Sequence, residues 1–255
     1  MLNLATTAQK EEALSACRDS VIGTRIACLI EAYGFDKDYF TLWIQRHNHT
    51  VTALLSCFFG SYTLLTFDGA DQAELRDFLA MKDCQSLMCS SDFCREAGIK
   101  NFAEKNAYVF CGSTDENEAQ DLDESQYKAL YTLISESISG SFGSSKEDYL
   151  SWLSDFTYRK KRGLSRAKGM SSDGVLFACV MTSAETKSSA IISGVACHAH
   201  FRGGGYGGKV VLSAVSELQR ENKKVYVIAL NDSACGFYEH IGFQLKEKIC
   251  FIEGI

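Results

Sequence analysis

Proline is absent from the chain, so stopping helices and setting turns falls to Gly, Asn, Asp and Ser. Long apolar runs are absent too. No stretch approaches the ~18 residues of a membrane span, so none is expected. The segment Met1–Glu12 is polar and lacks the apolar core of a secretory signal. Positive charge is short: 26 Lys and Arg face 32 Asp and Glu, for a net charge of −6. Nucleic-acid binding needs clustered cations on phosphate, so no nucleic-acid partner is expected. Zinc spacing is missing as well. Cys84, Cys89 and Cys94 have four residues between each, and no second pair or His follows at a suitable distance. No metal site is expected.

What is present is a globular composition, with 46% hydrophobic and 23% charged residues. At 255 residues the chain is long for one domain and comfortable for two. The 11 cysteines are odd in number and follow no signal sequence. They read as small core hydrophobes in a reducing, cytoplasmic compartment.

The periodicity predicts a helix over Lys10–Tyr33 and a second, short one over Asp38–Arg46. Thr50–Phe59 and Ser61–Phe67 read as a hairpin around Gly60, followed by a helix over Asp71–Met81. A strand near Ser86–Cys89, a helical turn at Asp92–Ala97 and a strand at Ala107–Cys111 complete an N-terminal α/β domain, residues 1–112. Residues 113–124 carry six acids and almost no apolar side chain, the pattern of a linker. Beyond it, residues 125–255 form a second domain. Helices at Ser125–Ser137 and Lys146–Arg159 are separated by the Gly/Ser-rich 139–145. Strands follow at Gly174–Met181 and Ala190–Cys197, then an amphipathic helix at Tyr206–Arg220. Val225–Leu230 reads as a buried strand, Ser233–His240 as a helix and Phe243–Ile252 as a last strand. Both halves share a two-strand, helix, strand, helix order, as in a diverged duplication. The basic run Tyr158–Lys168 reads as a helix C-terminus with a solvated face, or as a meeting point for an anionic group.

The informative stretch is Arg202-Gly203-Gly204-Gly205-Tyr206-Gly207-Gly208-Lys209, between a strand and an amphipathic helix. The first N–H groups of a helix have no partner within it, and glycines let the backbone wrap an anion closely. Gly203, Gly205 and Gly208 satisfy a dinucleotide fingerprint, but the preceding strand ends too early and too little chain follows for a doubly wound sheet. Gly203 and Gly208-Lys209 fit a P-loop, but Val210 offers no hydroxyl to magnesium. A plain flexible turn is the remaining reading of the glycines taken alone.

Their company adds to this. Val195-Ala196-Cys197-His198-Ala199 precedes the loop, and Asn231, Tyr238 and Gly242-Phe243 follow it. In order and spacing, Ile192–Phe243 resembles the GNAT superfamily of acetyl-CoA-dependent N-acetyltransferases. Ala199 stands where that family usually has proline. The resemblance implies an α/β fold with a mixed, mostly antiparallel sheet flanked by helices. The N-terminal domain is then a diverged half of the same fold.

It also implies acetyl-CoA as co-substrate and an amine acceptor, with a homodimer as one use of the first domain. In similar enzymes the strand before the loop splays from its neighbour. Its backbone, here Val195-Ala196-Cys197, bonds the pantetheine arm. Arg202 and the amides of Gly203, Gly204, Gly205, Tyr206, Gly207 and Gly208 hold the pyrophosphate. Asn231 bonds the cofactor arm, and Tyr238 protonates the departing thiolate. The general base is open among His198, His200, Glu185 and a chain of water. The alternative is a catalytically inactive acyl-CoA-binding regulatory module that keeps the loop and does not need Tyr238.

Overall fold

The structure is a computed structural model that describes residues 1–82, 84, 86–138, 143 and 145–253. It divides into two units. The first comprises Met1–Tyr108, Ala229–Cys235 and the residues from Leu245 on; the second comprises Val109–Ile228 and Gly236–Gln244.

The elements come in two matching series. The first is β1 (Leu2–Leu4), α1 (Lys10–Ala16), α2 (Val21–Tyr33), β2 (Phe40–His47), β3 (Thr50–Phe58), β4 (Ser61–Thr66), α3 (Gln72–Met81), β5 (Ser86–Ser90), α4 (Ser91–Glu96) and β6 (Ala103–Phe110). The second is β7 (Gln120–Asp121), α5 (Tyr127–Ser137), α6 (Lys146–Lys160), β8 (Ala167–Ser172), β9 (Val175–Glu185), β10 (Ser189–Cys197), α7 (Tyr206–Arg220), β11 (Lys224–Ala229), α8 (Asp232–His240) and β12 (Phe243–Glu253). Setting short 3-10 turns aside, the order of strands and helices is the same, as the sequence reading of a duplication expected.

Sheet order repeats as well. In the first unit β1 to β5 lie side by side, antiparallel except for the parallel pair β4–β5. In the second, β7 to β11 do the same, with β10–β11 as the parallel pair. The last strand of the second series does not stay with it. From Ile249 to Glu253, β12 pairs antiparallel with β5 of the first unit. Cys250 and Ile252 are buried there, in a core with Leu55, Leu64, Leu75, Leu87 and Phe93. Glu247, also on β12, accepts the Val21 N–H at 2.9 Å and so caps α2.

Three expectations from the sequence are corrected. The helix over Lys10–Tyr33 is two helices. The chain breaks at Asp19, whose φ is 60°, and Ser20 restarts it by accepting the Gly23 N–H at 3.2 Å. Asp38–Arg46 is not helical but falls largely in β2. Phe40, Leu42 and Ile44 are buried at every second position, and β3 supplies a full antiparallel partner. The basic run Tyr158–Lys168 does begin as the C-terminus of α6, with Arg159 and Lys160 in its last turn and Lys161 and Arg162 exposed, but the face is not solvated throughout. Arg159 is buried against Asp155 and the Ser183 carbonyl. Arg166 pairs with Glu185, Glu217 and Glu221, and Lys168 with Asp121 and Glu217. In the acidic segment 113–124, Gln120–Asp121 forms β7, and Ala119 and Leu122 are buried. The 139–145 connection lies, apart from Gly143 and Ser145, outside the described residues. Among the described residues, no helix is long and apolar enough to cross a membrane.

Candidate functional site

The second unit centres on β10. Its pairing with β11 runs from Ser189 opposite Lys224 to Ile192 opposite Val227, and then stops. The remaining residues of β10 keep their antiparallel partner β9, from Ala196 opposite Cys179 to Cys197 opposite Ala178. One edge of Val195-Ala196-Cys197 therefore has main-chain groups with no β11 partner.

The cause is a bulge between Ser193 and Ala196. Gly194 makes it possible. Its φ is 55°, and a Cβ there would lie 2.7 Å from Met181 Cγ and 2.8 Å from Ile134 Cδ1. Only a residue without a side chain lets α5 settle on the strand at this point. Ala196 is buried in the core that Tyr127, Leu130 and Ile134 of α5 share with Cys179 and Met181. Val195 and Cys197, its neighbours on either side, alternate to the opposite face and are half-buried.

Beyond β10 the chain turns through Ala199–Phe201 into the glycine run and α7. The α7 N-cap is Gly205, in the left-handed region at φ 77°. The Lys209 N–H donates to the Gly205 carbonyl at 3.1 Å, so the N–H groups of Tyr206, Gly207 and Gly208 precede the first turn's bonds. Open space lies where a Cβ would stand on Gly203 and Gly205. A Cβ on Gly204 would strike the Tyr206 ring at 2.6 Å. Tyr206 is fixed by Phe177, centroid to centroid at 5.0 Å. The Arg202 Nε donates to the Cys197 carbonyl at 3.1 Å, which ties the loop to the end of β10. Lys209 Nζ lies 2.8 Å from both carboxylate oxygens of Glu118, and this raises its pKa.

Helix α7 reaches α8 at the same end. Positions Gly207 and Gly208 face Phe237 and Ile241, with would-be Cβ contacts of 3.7 and 3.6 Å. Tyr238 lies between these two residues in sequence, 7% exposed, its ring 5.1 Å from Phe237 and 5.6 Å from Phe243. Burial pushes its hydroxyl pKa up, so the group is neutral at pH 7. Burial likewise raises the thiols of Cys197 and, to about 12, Cys179 on the same two strands.

The second unit thus brings together Val195, Ala196, Cys197, Arg202, the glycine run and Tyr238. Asn231 falls in the first unit, where its Oδ1 accepts the Ala234 N–H at 2.9 Å and caps α8. His198 and His200 are exposed just past β10, and the His200 N–H donates to His198 Nδ1 at 3.4 Å. Glu185 is corrected as a candidate base. It pairs with Ala190 near the start of β10 and is 1% exposed in a lattice of Arg166 and Lys223. Seven steps along the strand, roughly 23 Å, separate Ala190 from Cys197. Sequence reasoning missed Gly194; an isolated glycine inside a strand pattern was its signal.

The first unit has the same parting but, among the described residues, no equivalent cradle. Its β4–β5 pairing stops at Thr63 opposite Met88. The helix that follows, α3, is capped by Asp71, whose Oδ1 accepts the Glu74 N–H at 3.0 Å, and the Asp71 N–H donates to Gln45 Oε1 at 2.9 Å. A carboxylate already holds the place an anion would take.

Comparison with known proteins bears on this geometry. Residues 176–252 match the model of the family described as FR47-like protein. No match was found among curated proteins. Solved structures align along the whole chain. A tandem GNAT protein from the clavulanic acid biosynthesis pathway, solved without AcCoA, is 13% identical with a TM-score of 0.65, covering 99% of this chain and 98% of that one. A Drosophila protein is 14% identical with a TM-score of 0.65, over 100% and 98% of the two chains. A GNAT-family acetyltransferase from Colwellia psychrerythraea is 13% identical with a TM-score of 0.60, over 100% of each. The chain shares its fold with these structures, the tandem GNAT protein among them. The resemblance read from Ile192–Phe243 stands in the fold.

Proposed function

From a GNAT fold repeated along the chain, we propose that the second unit is an N-acyltransferase that moves an acetyl group from acetyl-CoA to a primary amine. The observation that carries this reading is the parting of β10 from β11 after Ile192 and Val227, next to the open N-terminus of α7. The freed edge of Val195-Ala196-Cys197 offers the amide-and-carbonyl pattern that a pantetheine arm needs. The α7 N–H groups, with Gly203 and Gly205 leaving open space, suit a pyrophosphate. Arg202 adds a positive charge at the same turn, and Asn231 is proposed to bond the cofactor arm.

The chemistry is direct transfer. The amine attacks the thioester carbonyl, the C–S bond breaks and the thiolate leaves. Tyr238 donates the proton. A thiol has a pKa near ~8.5 in water and Tyr one near ~10, so in water the transfer would run uphill. Burial raises Tyr238 as well as thiols such as Cys179 and Cys197, so Tyr238 works by hydrogen-bonding the developing thiolate and gives up its proton only as the C–S bond breaks. The amine's proton goes to His198, His200 or a chain of water. Such a reaction needs positioning and carbonyl polarisation rather than a covalent enzyme intermediate.

The test is calorimetry with acetyl-CoA on the wild type and on Gly205→Glu. Micromolar-range binding is expected, with one site per chain because Asp71 blocks the matching place in the first unit. It is expected to vanish in the variant, which puts a carboxylate at the cradle. Absence of binding by the folded wild type overturns the proposal. Binding without amine-dependent thiol release supports the inactive acyl-CoA-binding module instead.

A further inference from the structure

All 11 cysteines are thiols, and three of them meet in the first unit. Cys89 on β5 lies directly across the sheet from Cys250 on β12. Cys94 on α4 comes up beneath them, its Sγ 3.4 Å from Cys89 Sγ. Ser91 Oγ is 3.3 Å from Cys250 Sγ. All three cysteines are fully buried.

As small hydrophobes these residues would need no mutual contact. Here the contacts polarise them. Cys94 is pulled below the usual thiol range, first by the hydrogen bond it shares with Cys89, with burial opposing and Cys250 and the charge of Arg95 assisting. Cys89 is pushed the other way by the same bond and by burial. One thiol is thus disposed to be the nucleophile while its neighbour keeps a proton.

We propose that Cys89 and Cys94 form a reversible intramolecular disulfide on exposure to a peroxide. The Cys94 thiolate attacks a peroxide oxygen, the O–O bond breaks and, with hydrogen peroxide, hydroxide leaves and takes up the proton that the Cys94 thiol had released, giving water and a sulfenic acid on Cys94. Cys89 Sγ then attacks Cys94 Sγ, the S–O bond breaks, and the hydroxide leaves as water with the Cys89 proton. Two thiols are oxidised by two electrons, and one peroxide is reduced to two waters. Access is the limiting step. The cover is α4, a helix of six residues whose Asp92, Arg95 and Glu96 are exposed. Local opening of so short an element admits a molecule as small as hydrogen peroxide. A dithiol reverses the step by exchange.

The test is graded hydrogen peroxide on the folded, full-length wild type, followed by alkylation of remaining thiols and peptide mass mapping. A loss of two hydrogens is expected, located in a Cys89–Cys94 cross-link and restored by dithiothreitol. Cys250→Ala is expected to retain the cross-link, and Cys94→Ser to lose it. The proposal is overturned if exposed Cys111 is oxidised while Cys89 and Cys94 remain alkylatable, or if the bridge joins Cys94 to Cys250. The wild-type mapping decides the matter even if a variant fails to fold.

Discussion

Ile134 Cδ1 on α5 lies 2.8 Å from the point where a side chain on Gly194 would begin. The helix and the bulged strand therefore fit each other only while position 194 is bare. Gly194→Ala meets both that contact and a left-handed φ of 55°. We expect a loss of about 1–3 kcal/mol in stability, read from the urea midpoint. Acetyl-CoA affinity should fall as well, because the bulge sets where β10 leaves β11. Unchanged affinity would detach the bulge from the proposed binding edge.

Tyr238→Phe removes one oxygen from a ring held by Phe237 and Phe243. The packing survives, so the melting temperature should move little. If Tyr238 is the acid, kcat drops about 100-fold or more while acetyl-CoA affinity holds. The pH behaviour has a definite sign. The folded pKa is raised above the ordinary ~10, so the folded state holds this proton more tightly. The stability linked to it is complete below pH ~10 and declines as pH rises beyond that value. Ultraviolet titration of the wild type against the variant should show one tyrosine ionising late.

Arg166 joins three carboxylates from β9, α7 and the turn after α7: Glu185, Glu217 and Glu221. Glu185→Gln leaves Arg166 and Lys223 short of a buried countercharge and should cost about 3–5 kcal/mol. The pH dependence of turnover should not change, since Glu185 lies at the far end of β10 from the glycine run. Glu221 is held down to about 2, first by its hydrogen bond with Arg166 and also by Lys223. A lowered carboxylate contributes stability above its unfolded value near ~4.3 and loses it as pH falls toward the folded one. Glu221 is partly exposed, so solvent screens the effect. Glu221→Gln should therefore show a slightly shallower loss of melting temperature between pH 5 and pH 2 than the wild type.

Cutting the chain within the acidic segment should not release two folded halves. Residues 1–112 lack β12, whose Ile249, Cys250 and Ile252 are buried in the first unit and whose Glu247 caps α2. The fragment exposes the unpaired edge of β5 and is expected to aggregate when expressed alone. Co-expression with residues 113–255 should rescue its solubility. A monomeric, cooperatively folding 1–112 would show that β12 is dispensable.

Several elements were legible because local chemistry dictates them. Asp71 before Gln72–Met81 and Ser145 before Lys146–Lys160 are caps that a reader can see, and Tyr206–Arg220 carries its apolar stripe at helical spacing. The β2 strand was not legible. Phe40-Thr-Leu-Trp-Ile44 fits a period of two and a helical face about equally, and only pairing with β3 settles it. The β8 strand, Ala-Lys-Gly-Met-Ser-Ser, has no β-branched residue at all and exists because β9 offers a partner.

The same division runs through the candidate site. The sequence alone determined the glycine run, the helix behind it and the Asn231, Tyr238 and Gly242-Phe243 that follow, because turn and helix chemistry act over a few residues. Tertiary structure decided where β10 leaves β11, which side of the strand Ala196 fills, and that Glu185 serves Arg166 and Lys223. It also decided that β12 from Leu245 on completes the first unit rather than the second. Strand pairing and ion pairing join residues distant in sequence, and their energies depend on burial, which no local pattern encodes.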